Sequence, residues 1–139
     1  MLHVSSKKIL NFLNLANNGR TTVDQGKALE DLICYLFEKI PGISVTARNS
    51  IDVFKSEEID VVFWNEKDER GLYFLPHILL VECKNWSSPV GSIHVNWFDT
   101  KLRKRGLQVG VLIAANGVTG NAGDITAAHK IIADALCEQ

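Results

Sequence analysis

The sequence predicts an α/β domain in which a central mixed β-sheet is flanked by α-helices on both faces. Three observations carry that expectation. Apolar residues recur at helical spacing through the first forty positions and then switch to strand alternation. Two strongly apolar strand segments bracket a helical one near the end, the pattern of a β-α-β crossover, which is right-handed. The composition, 46% hydrophobic and 22% charged over 139 residues, is that of an ordinary globular domain. A chain of this size buries about two-thirds of its unfolded surface and can own a real core.

The elements follow in order. Ser5 and Ser6 are caps for a first helix, in which Ile9, Leu10, Phe12, Leu13 and Ala16 recur at helical spacing until Asn17-Asn18-Gly19. A second helix is expected from about Val23 to Ile40, capped by Thr22 or Asp24, with Ala28, Leu29, Leu32, Ile33, Leu36 and Phe37 on one stripe and Pro41-Gly42 as its stop. Ile43, Val45 and Ala47 then alternate with polar residues as in a half-buried strand. Glu58–Trp64 is a second strand, followed by a charged turn over Asn65–Gly71. Ile78–Lys84 starts as a continuous apolar run, which predicts a central strand buried on both faces. Ser92–Arg105 reads as a helix, Gln108–Ala115 as a fully apolar strand, and Ile125–Leu136 as a last helix. Residues 1–139 thus read as one domain, with 1–20 as a helical extension. An end this close to a helix fits a chain cut from something longer.

Bulk properties narrow the function less. The net charge of −1 withholds the electrostatic support a strongly basic chain would lend to nucleic-acid binding, so such binding would need a local patch or a partner. Three widely spaced cysteines, Cys34, Cys83 and Cys137, with no CxxC pair, speak against a disulfide framework or structural zinc. No signal-peptide order and no run near ~18 apolar residues is visible. A reducing, cytoplasmic setting without membrane contact is expected.

Charge in the wrong place is the informative feature. Burying an unpaired charge costs several kcal/mol, roughly, after relaxation. Yet Glu82 and Lys84 close an apolar strand, two apart and therefore on one face, and Asp60 sits inside another. If the two strands form a hairpin, Asp60 meets Glu82. Two carboxylates brought together repel unless a divalent cation joins them, and hard oxygen ligands suit Mg²⁺. Such an ion beside a lysine has the parts for phosphodiester hydrolysis. The competing reading is a surface ion pair plus a turn acid, which is common and weak. Three charges on two apolar strands weigh against it.

These residues resemble a known signature. Glu58-Ile59-Asp60 followed by Val81-Glu82-Cys83-Lys84-Asn85-Trp86 is similar to the Asp…Glu-x-Lys motif of the PD-(D/E)xK nucleases, and closest to the Mrr-like restriction endonucleases. The likeness begins at Gly26-Lys27-Ala28-Leu29-Glu30 and ends with Val109–Ile113 and Gly117–Ala122. It implies a restriction-endonuclease-like fold and a metal-dependent endodeoxyribonuclease acting in restriction, defence or DNA repair. Asp60 and Glu82 would ligate Mg²⁺, with Mn²⁺ as a substitute, and the Cys83 backbone carbonyl would add a ligand. Lys84 would position or activate the attacking water. Glu30 matches the helix glutamate that completes such sites, with an ordinary solvated helix residue as its alternative. Glu58 shares the face of Asp60, where a solvated edge residue is the favoured reading. Many relatives carry a glutamine in the next helix and another strand after the last one. Here Asn96 would substitute for the first, while His94 would approach the phosphate, with an ordinary surface histidine as its favoured alternative, and the second is missing.

Lys101, Arg103, Lys104 and Arg105 form the one dense basic cluster. They are candidates for phosphate contact, although a helix C-terminus favours cations anyway. Trp86 and Ser87 follow the motif strand and would line a DNA groove, whereas Trp97 and Phe98 are expected in the core or an interface. DNA is the expected partner, with a homodimer or further domains of a longer protein as additional ones. The other function class is a catalytically silent module that uses this fold to hold DNA or protein. Fold alone does not separate the two.

Overall fold

The computed structural model describes residues 3–51, 58–121 and 126–138. The expected helix start at Ile125 and the Ala122 end of the glycine-rich segment lie outside them. Helices α1 (Ser6–Asn18) and α2 (Thr22–Phe37) lead into strands β1 (Ile43–Ile51), β2 (Glu58–Asn65) and β3 (Ile78–Lys84). Helix α3 (Ser92–Lys104), strand β4 (Gly110–Ala114) and helix α4 (Ala127–Cys137) follow. The sheet runs β1-β2-β3-β4, antiparallel for the first two pairings and parallel between β3 and β4. It is the mixed sheet of a restriction-endonuclease-like α/β fold, with the expected β-α-β unit at one side.

Local chemistry explains most boundaries. The Ser5 hydroxyl accepts from the Lys8 amide and starts α1. Helix α2 is capped by Thr21, whose hydroxyl accepts from the Asp24 amide, rather than by Thr22 or Asp24. The helix begins one residue earlier than the apolar stripe indicates, so Thr22 lies inside it. It ends at Phe37 instead of Ile40, because Lys39 and Ile40 bond back three residues and tighten the chain into a turn. Strand β4 is shorter than expected and half-buried throughout. At its start a side chain on Gly110 would meet the outer ends of Leu102 at 2.6 Å and Phe98 at 2.8 Å, so any larger residue would require those α3 side chains to shift.

The two sheet faces bury different things. On one, α2 packs Ala28, Leu29 and Ile33 against Val61, Phe63, Leu79 and Val81, with Phe37 stacked on Phe63 at 4.7 Å. On the other, Val90, Val95 and Ala128 form a smaller cluster with Leu112, Ala114 and Ile131. Helix α1 lies on α2. The Asn85 amide donates to the carbonyls of Ala16 and Gln25, tying both helices to the chain just after β3. Asn65, expected in a solvated turn, is fully buried. Its amide bonds the carbonyls of Leu72, Leu75 and Pro76 and so holds the long β2–β3 connection shut. Among the described residues no helix is long and apolar enough to cross a membrane.

Candidate active site

Strand alternation sends Leu79, Val81 and Cys83 toward α2 and Leu80, Glu82 and Lys84 toward α3. Strand β2 approaches in the register Val61 to Val81, and one more step sets Asp60 beside Glu82. The Asp60 carboxylate accepts the Cys83 backbone N–H at 2.7 Å, which anchors it to the motif strand. Glu82 is buried among cations. One carboxylate oxygen lies 2.8 Å from Lys84 Nζ and the other 2.6 Å from Lys101 Nζ. Lys101 also donates to the Glu58 carbonyl at 2.8 Å.

Burial penalises each of these charges, and the partners decide the outcome. Burial, with the charge of Glu82 adding to it, pushes the Asp60 carboxyl above the usual carboxylate range, against the downward pull of the Cys83 N–H and Lys84. Burial acts the same way on Glu82, but Lys101 and Lys84 outweigh it and hold this carboxyl below its ordinary value. Burial disfavours the Lys84 ammonium, and Glu82 more than restores it. The site therefore contains one carboxylate whose two lysine partners outweigh its burial and one, Asp60, whose burial outweighs its partners.

Glu30 stands nearby on α2. Burial and the Asp60 charge raise its pKa, while Arg48 lowers it from 3.4 Å. Arg48 also pairs with Asp31 at 2.8 Å, and its Nε is buried without a hydrogen-bond partner among the described residues. A β-bulge explains its presence. The register shifts between Val45 and Ala47, so Arg48 lies opposite Val61 and Ala47 opposite Val62. The alternation expected through Ile43, Val45 and Ala47 holds for the first two only.

The thiol of Cys83 points into the α2 core, where burial pushes its pKa up to about 12. Only its backbone is a plausible oxygen donor. Among the described residues no three His, Cys, Asp or Glu side chains converge as a metal cage. Any ion here would depend on the Asp60 and Glu82 pair plus water and substrate oxygens, which is how Mg²⁺ is commonly held.

The basic cluster divides. Lys101 turns inward to Glu82, three residues after the buried Phe98 and so on the neighbouring helix face. Arg103 turns outward to Asp99 and Glu138, both at 2.8 Å. Arg105 donates to the Lys101 carbonyl, and Lys104 is exposed. Trp86 and Ser87 are exposed beside the site, and Lys84 Nζ lies 5.7 Å from the Trp86 ring centre. Asn116 donates to the Trp86 carbonyl. His94 sits edge-on to both Trp86 and Trp97, at 4.6 and 5.0 Å. Phe98 is core, but Trp97 is 61% exposed. Asn96 is exposed, and Glu58 meets Lys101 through its carbonyl.

A mixed sheet with an acidic pair and a lysine at the end of its interior hairpin defines the nuclease class to which this domain corresponds. A family model described as a restriction endonuclease, the Mrr catalytic domain, matches residues 24–134, about four-fifths of the chain. The chain belongs to this restriction endonuclease family, as its motif residues implied. Helix α1 precedes the matched region. Neither a search of curated proteins nor one of solved structures returns a match.

Proposed function

We propose that this domain is a Mg²⁺-dependent endodeoxyribonuclease that hydrolyses DNA phosphodiester bonds in restriction, defence or repair. The observation that carries the reading is the pairing at the β2–β3 hairpin: Asp60 hydrogen-bonded to the motif strand, Glu82 buried, and Lys84 at 2.8 Å. An ordinary surface ion pair would not be built into the end of an interior strand.

The donor set fits a hard divalent cation. Asp60 is half-buried, and desolvation holds its carboxyl above the ordinary range, a cost that a bound ion would relieve. Asp60, Glu82 and the Cys83 carbonyl would hold it. The ion would supply Lewis-acid polarisation of the phosphodiester and stabilisation of the leaving oxygen. The remaining work falls to the chain. Lys84 orients the attacking water in line and offsets the charge that develops on phosphorus oxygens. Asp60 keeps its orientation through the Cys83 N–H. Glu30, restrained by Arg48, acts on the site through water. Trp86 and Ser87 face the incoming strand, and Lys104 meets phosphate on the exposed side of α3.

Supercoiled plasmid incubated with Mg²⁺ or Mn²⁺ should be nicked and linearised, EDTA should stop it, and Lys84→Ala or Asp60→Ala should abolish it. Equal cleavage by these variants would refute the assignment. Metal-independent DNA binding with no cleavage under either ion would favour the silent module.

A further inference from the structure

The contact between Lys101 and Glu82 is the least expected feature of the site. Lys101 is 12% exposed and spans from the last turn of α3 to Glu82 at 2.6 Å and the Glu58 carbonyl at 2.8 Å. Together with Lys84 it occupies both oxygens of the carboxylate that the metal reading requires. An ammonium this close to a carboxylate oxygen repels a divalent cation arriving at the same oxygen, and partial burial strengthens that repulsion, so Lys101 competes with the ion for Glu82.

We propose that Lys101 is a built-in counter-ion that blocks the divalent-metal site until a DNA phosphate draws it away. The inference rests on the nuclease reading and concerns how its metal centre is filled. Lys101 is suited to exchange partners. Its stem is long and flexible, its charge is a compact point, and phosphate is the anion that the substrate brings. When its ammonium moves from Glu82 to phosphate, an oxygen of Glu82 becomes available to the ion. Metal and DNA then bind cooperatively, and by linkage each raises the affinity for the other by the same factor. A nuclease loaded in this way holds its metal only when substrate is present. Lys101 is a positioning residue here, acting on the centre through Glu82.

The test is Mn²⁺ binding, followed by electron paramagnetic resonance, to the full chain without DNA and with a nuclease-resistant phosphorothioate duplex. Lys101→Gln should bind Mn²⁺ at least ~10-fold more tightly than the wild type without DNA, while its cleavage rate falls. Lys101→Arg, which keeps the charge, should stay near wild type. The duplex should tighten Mn²⁺ binding to the wild type by a clearly larger factor than to Lys101→Gln, where substrate oxygens still add to the ion but no ammonium has to be displaced. A misfolded variant would not gain affinity, so the direction of the change is diagnostic. Unaltered Mn²⁺ affinity in Lys101→Gln overturns the proposal and leaves the nuclease reading standing if plasmid is still cut. Tight Mn²⁺ binding that survives Asp60→Ala in the Lys101→Gln background places the ion elsewhere and overturns both the proposal and the metal centre.

Discussion

Alternate residues of strand β3 serve two unlike regions. Leu79, Val81 and Cys83 face α2 within an apolar cluster in which Val61, Phe63, Leu79 and Val81 are fully buried. Leu80, Glu82 and Lys84 face α3, where the apolar cluster is smaller and ion pairs take its place. One face supplies hydrophobic free energy and close packing. The other carries desolvated charge that contributes little net stability and is retained at the hairpin where chemistry is expected. The contrast teaches that rigidity on one face permits charge on the other. Asp60 and Glu82 stay adjacent because Val61 and Val81, their neighbours in the chain, are locked into the opposite face.

Breaking each face separately should produce opposite phenotypes. Lys84→Ala should cut the plasmid-cleavage rate by ~100-fold or more while the thermal melt stays nearly unchanged. Loss of cooperative unfolding in that variant would mean the charged face is structural. Phe63→Ala on the α2 face should cost about 3–5 kcal/mol by chemical denaturation, from lost burial and the cavity left behind. Its activity should fall only as far as its folded fraction does.

Asp60→Asn sharpens the comparison through pH. The folded state raises the pKa of Asp60, so this group's contribution to stability is complete at acidic pH, below the ordinary carboxylate value. It is lost as pH rises through the raised folded value. Asparagine mimics the protonated side chain and still accepts from the Cys83 N–H. The variant should therefore be more stable than wild type at neutral pH by about 1 kcal/mol and inactive. That gain should shrink as pH falls through the carboxylate range, as followed by thermal melts across pH. A gain that does not depend on pH would contradict desolvation of the Asp60 carboxylate as its source. The smallest effect is expected at Arg103, whose partners are Asp99 and Glu138 on the outer side. Arg103→Ala should change stability by less than about 0.5 kcal/mol and cleavage by less than about twofold, unlike Lys101→Gln on the same helix.

Much of this was legible along the chain. Helical spacing located the helices seen among the described residues, and the apolar run of Ile78–Lys84 marked its strand with the right ends and its interior place. The candidate site was legible wherever charge interrupted an apolar strand, as at Asp60, Glu82 and Lys84. It was not legible where a long-range contact reassigned an ordinary-looking residue. Arg48 reaches Glu30 only because a bulge shifts the β1 register. Lys101 read as part of a basic helix end until α3 was laid over β3. Asn65 read as a turn residue, yet it organises the connection from inside.

The sequence by itself determined the order of elements, the α/β class and the three charges of the motif. These follow from periodicity and from the cost of burying charge, both of which act over a few residues. The tertiary structure alone decided how those charges are compensated. Whether Glu82 meets one lysine or two, and whether Glu30 is restrained, depends on packing between elements distant in the chain. Electrostatics in a partly buried pocket is set by distances of a few ångströms that no local pattern specifies.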